Sequence, residues 1–202
     1  MRTAVLATLA LILTATVLPA QSTNPSDTPS PFGLRMGMTK EKLDIAKEVS
    51  PFKYQLASVS KPHNDLEVYV VTITPKAGLC FIRTLSTTWQ TKSDGTELKA
   101  RFEDMKSQLA AIYGKPHLVD TLQPDSKRTR PRDWMESLLE KERTLVARWS
   151  AIDDSLPMLP TISKIYVGAY ALSPTSGYLV VEYYFTNYAQ CFEEINPAGS
   201  GK

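Results

Sequence analysis

Apolar positions along the chain change period several times, and each change marks an element. Leu98, Phe102, Met105, Leu109 and Ile112 recur at intervals of four, three, four and three, the spacing of one helical face. Asp94-Gly95-Thr96-Glu97 ahead of them has capping-box spacing. Tyr113-Gly114-Lys115-Pro116 behind them supplies a glycine cap and a proline that cannot continue the helix. Residues 52–60, 66–74 and 79–91 are rich in β-branched and aromatic residues, with turn residues at 61–65 and 75–78 between them. They predict a three-stranded meander. Residues 162–172 and 178–188, joined by Ser-Pro-Thr-Ser-Gly, predict two more strands.

The stretch 134–149, W-M-E-S-L-L-E-K-E-R-T-L-V-A-R-W, fits two periods. Trp134, Leu138, Leu145 and Trp149 make a helical stripe, but Glu140-Lys141-Glu142-Arg143 interrupts it. Beyond that break Leu145, Ala147 and Trp149 alternate with Thr144, Val146 and Arg148, as a strand does. The pattern predicts a short helix and then a strand over 144–151, with Trp134 and Trp149 as core anchors. Pro131 suits the first turn of that helix, and Asp133 complements its positive end. Residues 152–160 read as a loop. Earlier in the chain, Thr39 as an N-cap, with Met38 packing on Leu43 or Ile45, predicts a helix of about ten residues that Ser50-Pro51 ends.

The expected order is α-βββ-α-α-βββ. This is an α+β domain whose antiparallel sheet comes from two three-stranded meanders, with the helices packed on one face. The two halves look alike, without a residue-level repeat.

The N-terminus adds a destination. Residues 1–20 carry a basic start, an apolar run over 4–17 and a small-residue exit at Ala20, as a cleaved secretory signal does. The run is short of the roughly twenty apolar residues of a membrane span. Residues 21–31 are polar and proline-rich, a linker; 32–195 form the domain and 196–202 a disordered tail. A periplasmic or secreted protein is expected. Removing Arg2 with the leader lowers the formal charge of +2 by one, too little to steer nucleic acid. Cys80 and Cys191 are the only cysteines, and in an oxidising compartment they are expected to form a disulfide.

Catalytic patterns are sparse. His63 lies in a K-P-H-N-D turn and His117 follows the Gly-Lys-Pro helix stop; both read as loop histidines. G-x-S-x-G, H-x-x-x-H and C-x-x-C do not occur and no S-x-x-K resembles a penicillin-binding site, so no cofactor or metal is expected. Asp153-Asp154 and Glu193-Glu194 are adjacent acids and read as solvated, not as a facing pair.

Two features suit an interaction surface. Lys127-Arg128-Thr129-Arg130-Pro131-Arg132 concentrates basic charge, with Arg128, Arg130 and Arg132 as candidate contacts. The last hairpin carries Tyr166, Tyr170, Tyr178, Tyr183, Tyr184 and Tyr188. Strand neighbours point to opposite faces, so Tyr183 and Tyr184 cannot both enter one core. One face of the hairpin therefore shows tyrosine to solvent or to a partner; turn length sets which tyrosines line up, and Tyr166, Tyr170, Tyr178 and Tyr184 are the candidate binding residues.

Gly37-Met38-Thr39-Lys40-Glu41-Lys42-Leu43 resembles the G-M-T-x-E-x-V/L helix opening of small exported bacterial proteins. These are the SmpA/OmlA-like (BamE-like) outer-membrane proteins and the β-lactamase-inhibitor-like proteins. Gly114-Lys115-Pro116 resembles the G-K-P that closes a helix in the same groups. The whole is similar to uncharacterised secreted proteobacterial proteins with a W-M…R…W arrangement. The resemblance covers about fifteen residues, lacks a lipidation cysteine, and implies a binding or assembly role in the envelope. The resulting expectation is a non-enzymatic exported protein that binds another macromolecule, a protein in the first place, through its sheet face and loops. The alternatives are a hydrolase of an envelope polymer and a carrier of a small apolar ligand.

Overall fold

The computed structural model describes residues 30–150 and 160–197. The expected leader, the linker up to residue 29, nearly all of the 152–160 loop and the tail from 198 lie outside the described residues.

Among the described residues, nine antiparallel strands form one sheet. They are β1 (Ile45–Ser50), β2 (Lys53–Leu56), β3 (Leu66–Thr74), β4 (Gly78–Ser86), β5 (Trp89–Gln90), β6 (His117–Leu122), β7 (Arg143–Ser150), β8 (Ile162–Ser173) and β9 (Ser176–Phe185). The spatial order is β1-β2-β3-β4-β9-β8-β7-β6, and β5 pairs the remainder of the β9 edge at Gly177 and Ser176. Two runs of neighbouring strands, one from each half of the chain, thus meet at a β4–β9 seam that pairs Phe81 with Tyr184 and Leu85 with Val180. Three helices accompany the sheet: α1 (Thr96–Tyr113), α2 (Trp134–Leu139) and α3 (Tyr188–Ile195).

The main core lies between α1, α2 and one sheet face. Leu98, Phe102, Met105, Leu109 and Tyr113 of α1, with Trp134, Met135 and Leu138 of α2, pack on Val71, Ile82, Ala147, Trp149, Ile165, Val167, Val181 and Phe185. Trp149 is fully buried and donates from Nε1 to the Gly114 carbonyl at 2.7 Å, so the strand and the end of α1 are tied by packing and a hydrogen bond together. The switch from helix to strand within 134–149 occurs as the broken apolar stripe predicts, with a turn at Glu140 to Glu142 where Lys141 takes φ 60°.

Four expectations are corrected. Residues 40–50 are not a helix: Lys40–Lys42 is a single 3-10 turn without a Thr39 side-chain cap, and Ile45–Ser50 is strand β1. That strand is an exposed edge with two bulges, so nearly all its residues stay outside the core. Pairing with β2 prevails over helical propensity. His117 opens strand β6 instead of a loop. The chain after Phe185 turns into α3, and the strand does not run on to Tyr188. Finally, the helices do not share one face. Tyr188 and Cys191 of α3 pack on Phe81 and Cys80, and Phe81 is the strand neighbour of the core residue Ile82. The resulting order, with four strands and the short β5 before α1, differs from α-βββ-α-α-βββ, while the α+β class stands.

Cys80 and Cys191 form a disulfide that fastens α3 to β4. Beside it, the Glu194 carboxylate accepts from Thr74 Oγ1 and from the backbone N–H groups of Lys76 and Ala77, each at 2.9 Å. Glu194 is thus an anchor of the β3–β4 turn and not a freely solvated acid. No helix among the described residues is long and apolar enough to cross a membrane.

Candidate functional site

Two surfaces concentrate chemistry, one on each face of the sheet. The first is the face turned away from α1 and α2. Alternation places Tyr178, Val180, Glu182 and Tyr184 of β9 here, because their neighbours Leu179, Val181, Tyr183 and Phe185 are in the core. The register then adds Tyr166 and Lys164 of β8, opposite Glu182 and Tyr184, and Arg83 and Phe81 of β4. Arg148 of β7 pairs with Tyr166 and joins the same face.

These side chains lie across the sheet. Tyr170 and Tyr178 stack with ring centroids 5.6 Å apart, and the Tyr166 and Tyr170 hydroxyls are 3.1 Å apart. Phe81, Tyr184 and Tyr188 make edge-on contacts at the α3 end, and Lys164 Nζ sits 3.7 Å from the Tyr184 ring centroid. The aromatic layer buries Glu182 to 6 % exposure. Its carboxylate accepts from Arg83 Nε at 2.7 Å and from the Tyr184 hydroxyl at 2.8 Å. Burial, with the Tyr170 contact and the nearby Glu182 charge, raises the Tyr166 pKa well above its ordinary value. Burial and the Glu182 hydrogen bond do the same to Tyr184. Both hydroxyls stay protonated and act as hydrogen-bonding tips. Tyr170 is 38 % exposed, and Leu172 beside the hairpin turn is 62 % exposed.

Tyr166, Tyr170, Tyr178 and Tyr184 therefore share one face, through the β8–β9 register that pairs Tyr170 with Tyr178. The arginines do not join them. Arg128 bridges Glu142 at 2.6 Å and Glu136 at 3.3 Å, Arg130 grips Asp133 at 2.8 Å, and Arg132 lies 3.9 Å from Asp133. They are held by the acids around α2, on the other side of the sheet, so their charge is largely committed within the chain. Arg83, Glu182, Phe81 and Tyr188 extend the tyrosine face, and periodicity alone does not reveal them. A charged residue at the outward position of each apolar strand, F-I-R-T-L and V-V-E-Y-Y, is the only signal they leave.

The second surface is a cleft of about 310 Å³ on the helical face. Its walls are Met105, Leu109, Ile112 and Tyr113 of α1 and Pro31 and Phe32 of the N-terminal segment; Leu66, Val181 and Tyr183 form its floor. Ile112, expected in the core, is 61 % exposed at this cleft, and Tyr113 takes its place inside. Lys61, which is exposed, and His63, which is half-buried, also line the cleft. His63 Nδ1 accepts from the Asp65 N–H at 3.1 Å, which places the ring proton on Nε2, 2.9 Å from Gln108 Oε1. Neither ring nitrogen keeps a free lone pair for a substrate. His63 is a structural latch between the loop and α1.

Among the described residues no group of three or more His, Cys, Asp or Glu is placed to hold a metal ion. No family model, no curated protein and no solved structure matches this chain.

Proposed function

We propose that this is an exported, non-enzymatic binding protein that engages an acidic segment of a partner protein through the tyrosine face of β8 and β9. The observation that carries the reading is the set Tyr166, Tyr170, Tyr178 and Tyr184, aligned on a sheet face that α1 and α2 leave uncovered. Tyrosine contributes large apolar area with a polar tip and little rotamer entropy, which is why it is favoured in interfaces. Charge supplies the choice of partner. The outward charged residues of β4, β9 and β8 are Arg83, Glu182 and Lys164, and the acid among them is buried against Arg83 and Tyr184. The face presents aromatic rings and positive charge, and an acidic strand or loop complements both.

The rival expectation, hydrolysis of an envelope polymer, calls for two facing acids with one held protonated. The carboxylates with displaced pKa among the described residues are Glu41, Asp94, Glu97, Asp133 and Glu194, and all are lowered. That reading finds no supporting geometry there.

The test is site-specific photocrosslinking in the producing cells, from position 170 and, as a control, from position 107 on the exposed side of α1. The expected result is a protein adduct from position 170 alone, mapped to an acidic segment and lost when Lys164→Glu is introduced. Equal adducts from both positions, or none from position 170, would overturn the proposal.

A further inference from the structure

Three buried tyrosines, Tyr69, Tyr113 and Tyr183, pack in the main core near the helical-face cleft, and their hydroxyls are treated very differently. Tyr69 is satisfied: its oxygen accepts from the His63 N–H at 3.0 Å and donates to the Leu66 carbonyl at 3.3 Å. Tyr113 and Tyr183, whose rings meet at 6.3 Å, have no hydrogen-bond partner for either hydroxyl among the described residues. Both line the cleft, and both hydroxyls keep contact with open space there. Tyr183 is only 4 % exposed. An unpaired polar group in an apolar setting costs free energy that phenylalanine would avoid.

We infer that this cleft binds a small, neutral, apolar molecule carrying a carbonyl oxygen, which accepts from the Tyr113 and Tyr183 hydroxyls.

The lining sets each part of that description. Phe32, Leu66, Met105, Leu109 and Val181 demand an apolar body. A volume of about 310 Å³, at about 30 Å³ per water-sized group, holds about ten non-hydrogen atoms. That lies at the lower end of small-molecule sites. Burial pushes the Tyr113 pKa up to about 12 and the Tyr183 pKa well above its ordinary value, so both are O–H donors at every physiological pH. A carbonyl acceptor answers two donors at once through its two lone pairs. Lys61, the one lysine or arginine of the lining, is exposed to solvent, and His63 is occupied by Gln108 and the Asp65 N–H. No buried cation stands in the lining to neutralise a carboxylate, so the acceptor is uncharged.

The inference is independent of the tyrosine face, which is on the other side of the sheet. It is tested by titrating three probes into the full-length protein as the producing cell processes it: 2-nonanone, nonane and nonanoate. Binding of 2-nonanone is expected, with its carbonyl stretch moved to lower frequency by hydrogen bonding. Tyr183→Phe and Tyr113→Phe should each weaken it about two- to tenfold and reverse part of the frequency shift, while leaving nonane binding unchanged. Either variant suffices if the other fails to fold. Four results would overturn the inference: no binding of 2-nonanone; equal binding of 2-nonanone and nonane; tighter binding of nonanoate; or a carbonyl frequency indifferent to both substitutions.

Discussion

Arg83 and Glu182 stand opposite one another across the β4–β9 seam, and their ion pair is the only one that spans the two halves of the sheet among the described residues. Glu182 is buried and Arg83 covers it from the solvent side. Replacing Arg83 with methionine keeps the stem but leaves the carboxylate with the Tyr184 hydroxyl as its remaining side-chain donor. A loss of about 2 kcal/mol is expected at pH 7. Urea unfolding at pH 7 measures this. Parental stability would mean that the ion pair contributes nothing net across the seam.

Gly95 precedes α1 with φ +74°, and a Cβ there would lie 2.1 Å from the Trp134 ring. Gly95→Ala therefore strains the backbone and drives a methyl group into the aromatic wall that joins α1 to α2. A destabilisation of about 2–3 kcal/mol is expected, with the Trp134 emission shifted to the red as the ring is displaced. Chemical denaturation monitored by fluorescence checks both. Parental stability would show that α2 does not press on the start of α1.

For Glu194 the prediction concerns acid. Burial alone would raise its pKa, but the Lys76 N–H, then the Thr74 hydroxyl and the Ala77 N–H, bring it below the ordinary 4.5. A carboxylate with a depressed folded pKa stabilises fully above its unfolded value and loses that contribution as pH falls through the folded one. Hydrogen-exchange protection of the Lys76 and Ala77 amides should therefore fall on acidification below about pH 4.5. Glu194→Gln should lower it at neutral pH already. Protection indifferent to both would remove Glu194 from the α3 anchor.

The disulfide joins residues 111 apart in sequence. Cys80→Ala with Cys191→Ala frees a long loop in the unfolded chain, and the chain-entropy relation gives an upper estimate of about 5 kcal/mol for that closure. Because Glu194 and Asn187 still hold α3 and its approach to the β3–β4 turn, a smaller loss of about 2–4 kcal/mol is expected. It should appear as a lower urea midpoint. No change in midpoint would mean that the native bridge is strained enough to cancel its own benefit.

What the sequence disclosed followed from how much each element buries. α1 was legible because its stripe is sunk in the core and glycines bracket it. Only the final step differed, where the inward position passed to Tyr113 and left Ile112 at the cleft mouth. The helix-to-strand switch before Trp149 was legible because four charged residues break one period and begin another. β1 and β6 escaped notice for the opposite reason: edge strands with mostly exposed side chains carry no alternation to read. Within α3 only Cys191 is buried, so its helical period was faint. Strand geometry separates Tyr183 from Tyr184, but the shared face of Tyr166, Tyr170, Tyr178 and Tyr184 needs the β8–β9 register. The Arg83–Glu182 pair needs the β4–β9 register, and the cleft needs the stand-off of α1 from the sheet. Neither quantity is local.

The seam between β4 and β9 also sets the order in which the molecule can be built. Arg83 and Glu182 are 99 residues apart, so during synthesis β4 exists long before the strand that will cover its open edge. Through that interval the first half is a sheet with unpaired backbone groups along one side, and those groups accept any extended chain nearby. Only when β9 emerges are they claimed, and the cysteines at 80 and 191 can then meet. The later strand completes the earlier one, so a chain cut short before Ser176 would lack the seam and carry a sticky edge as a permanent feature.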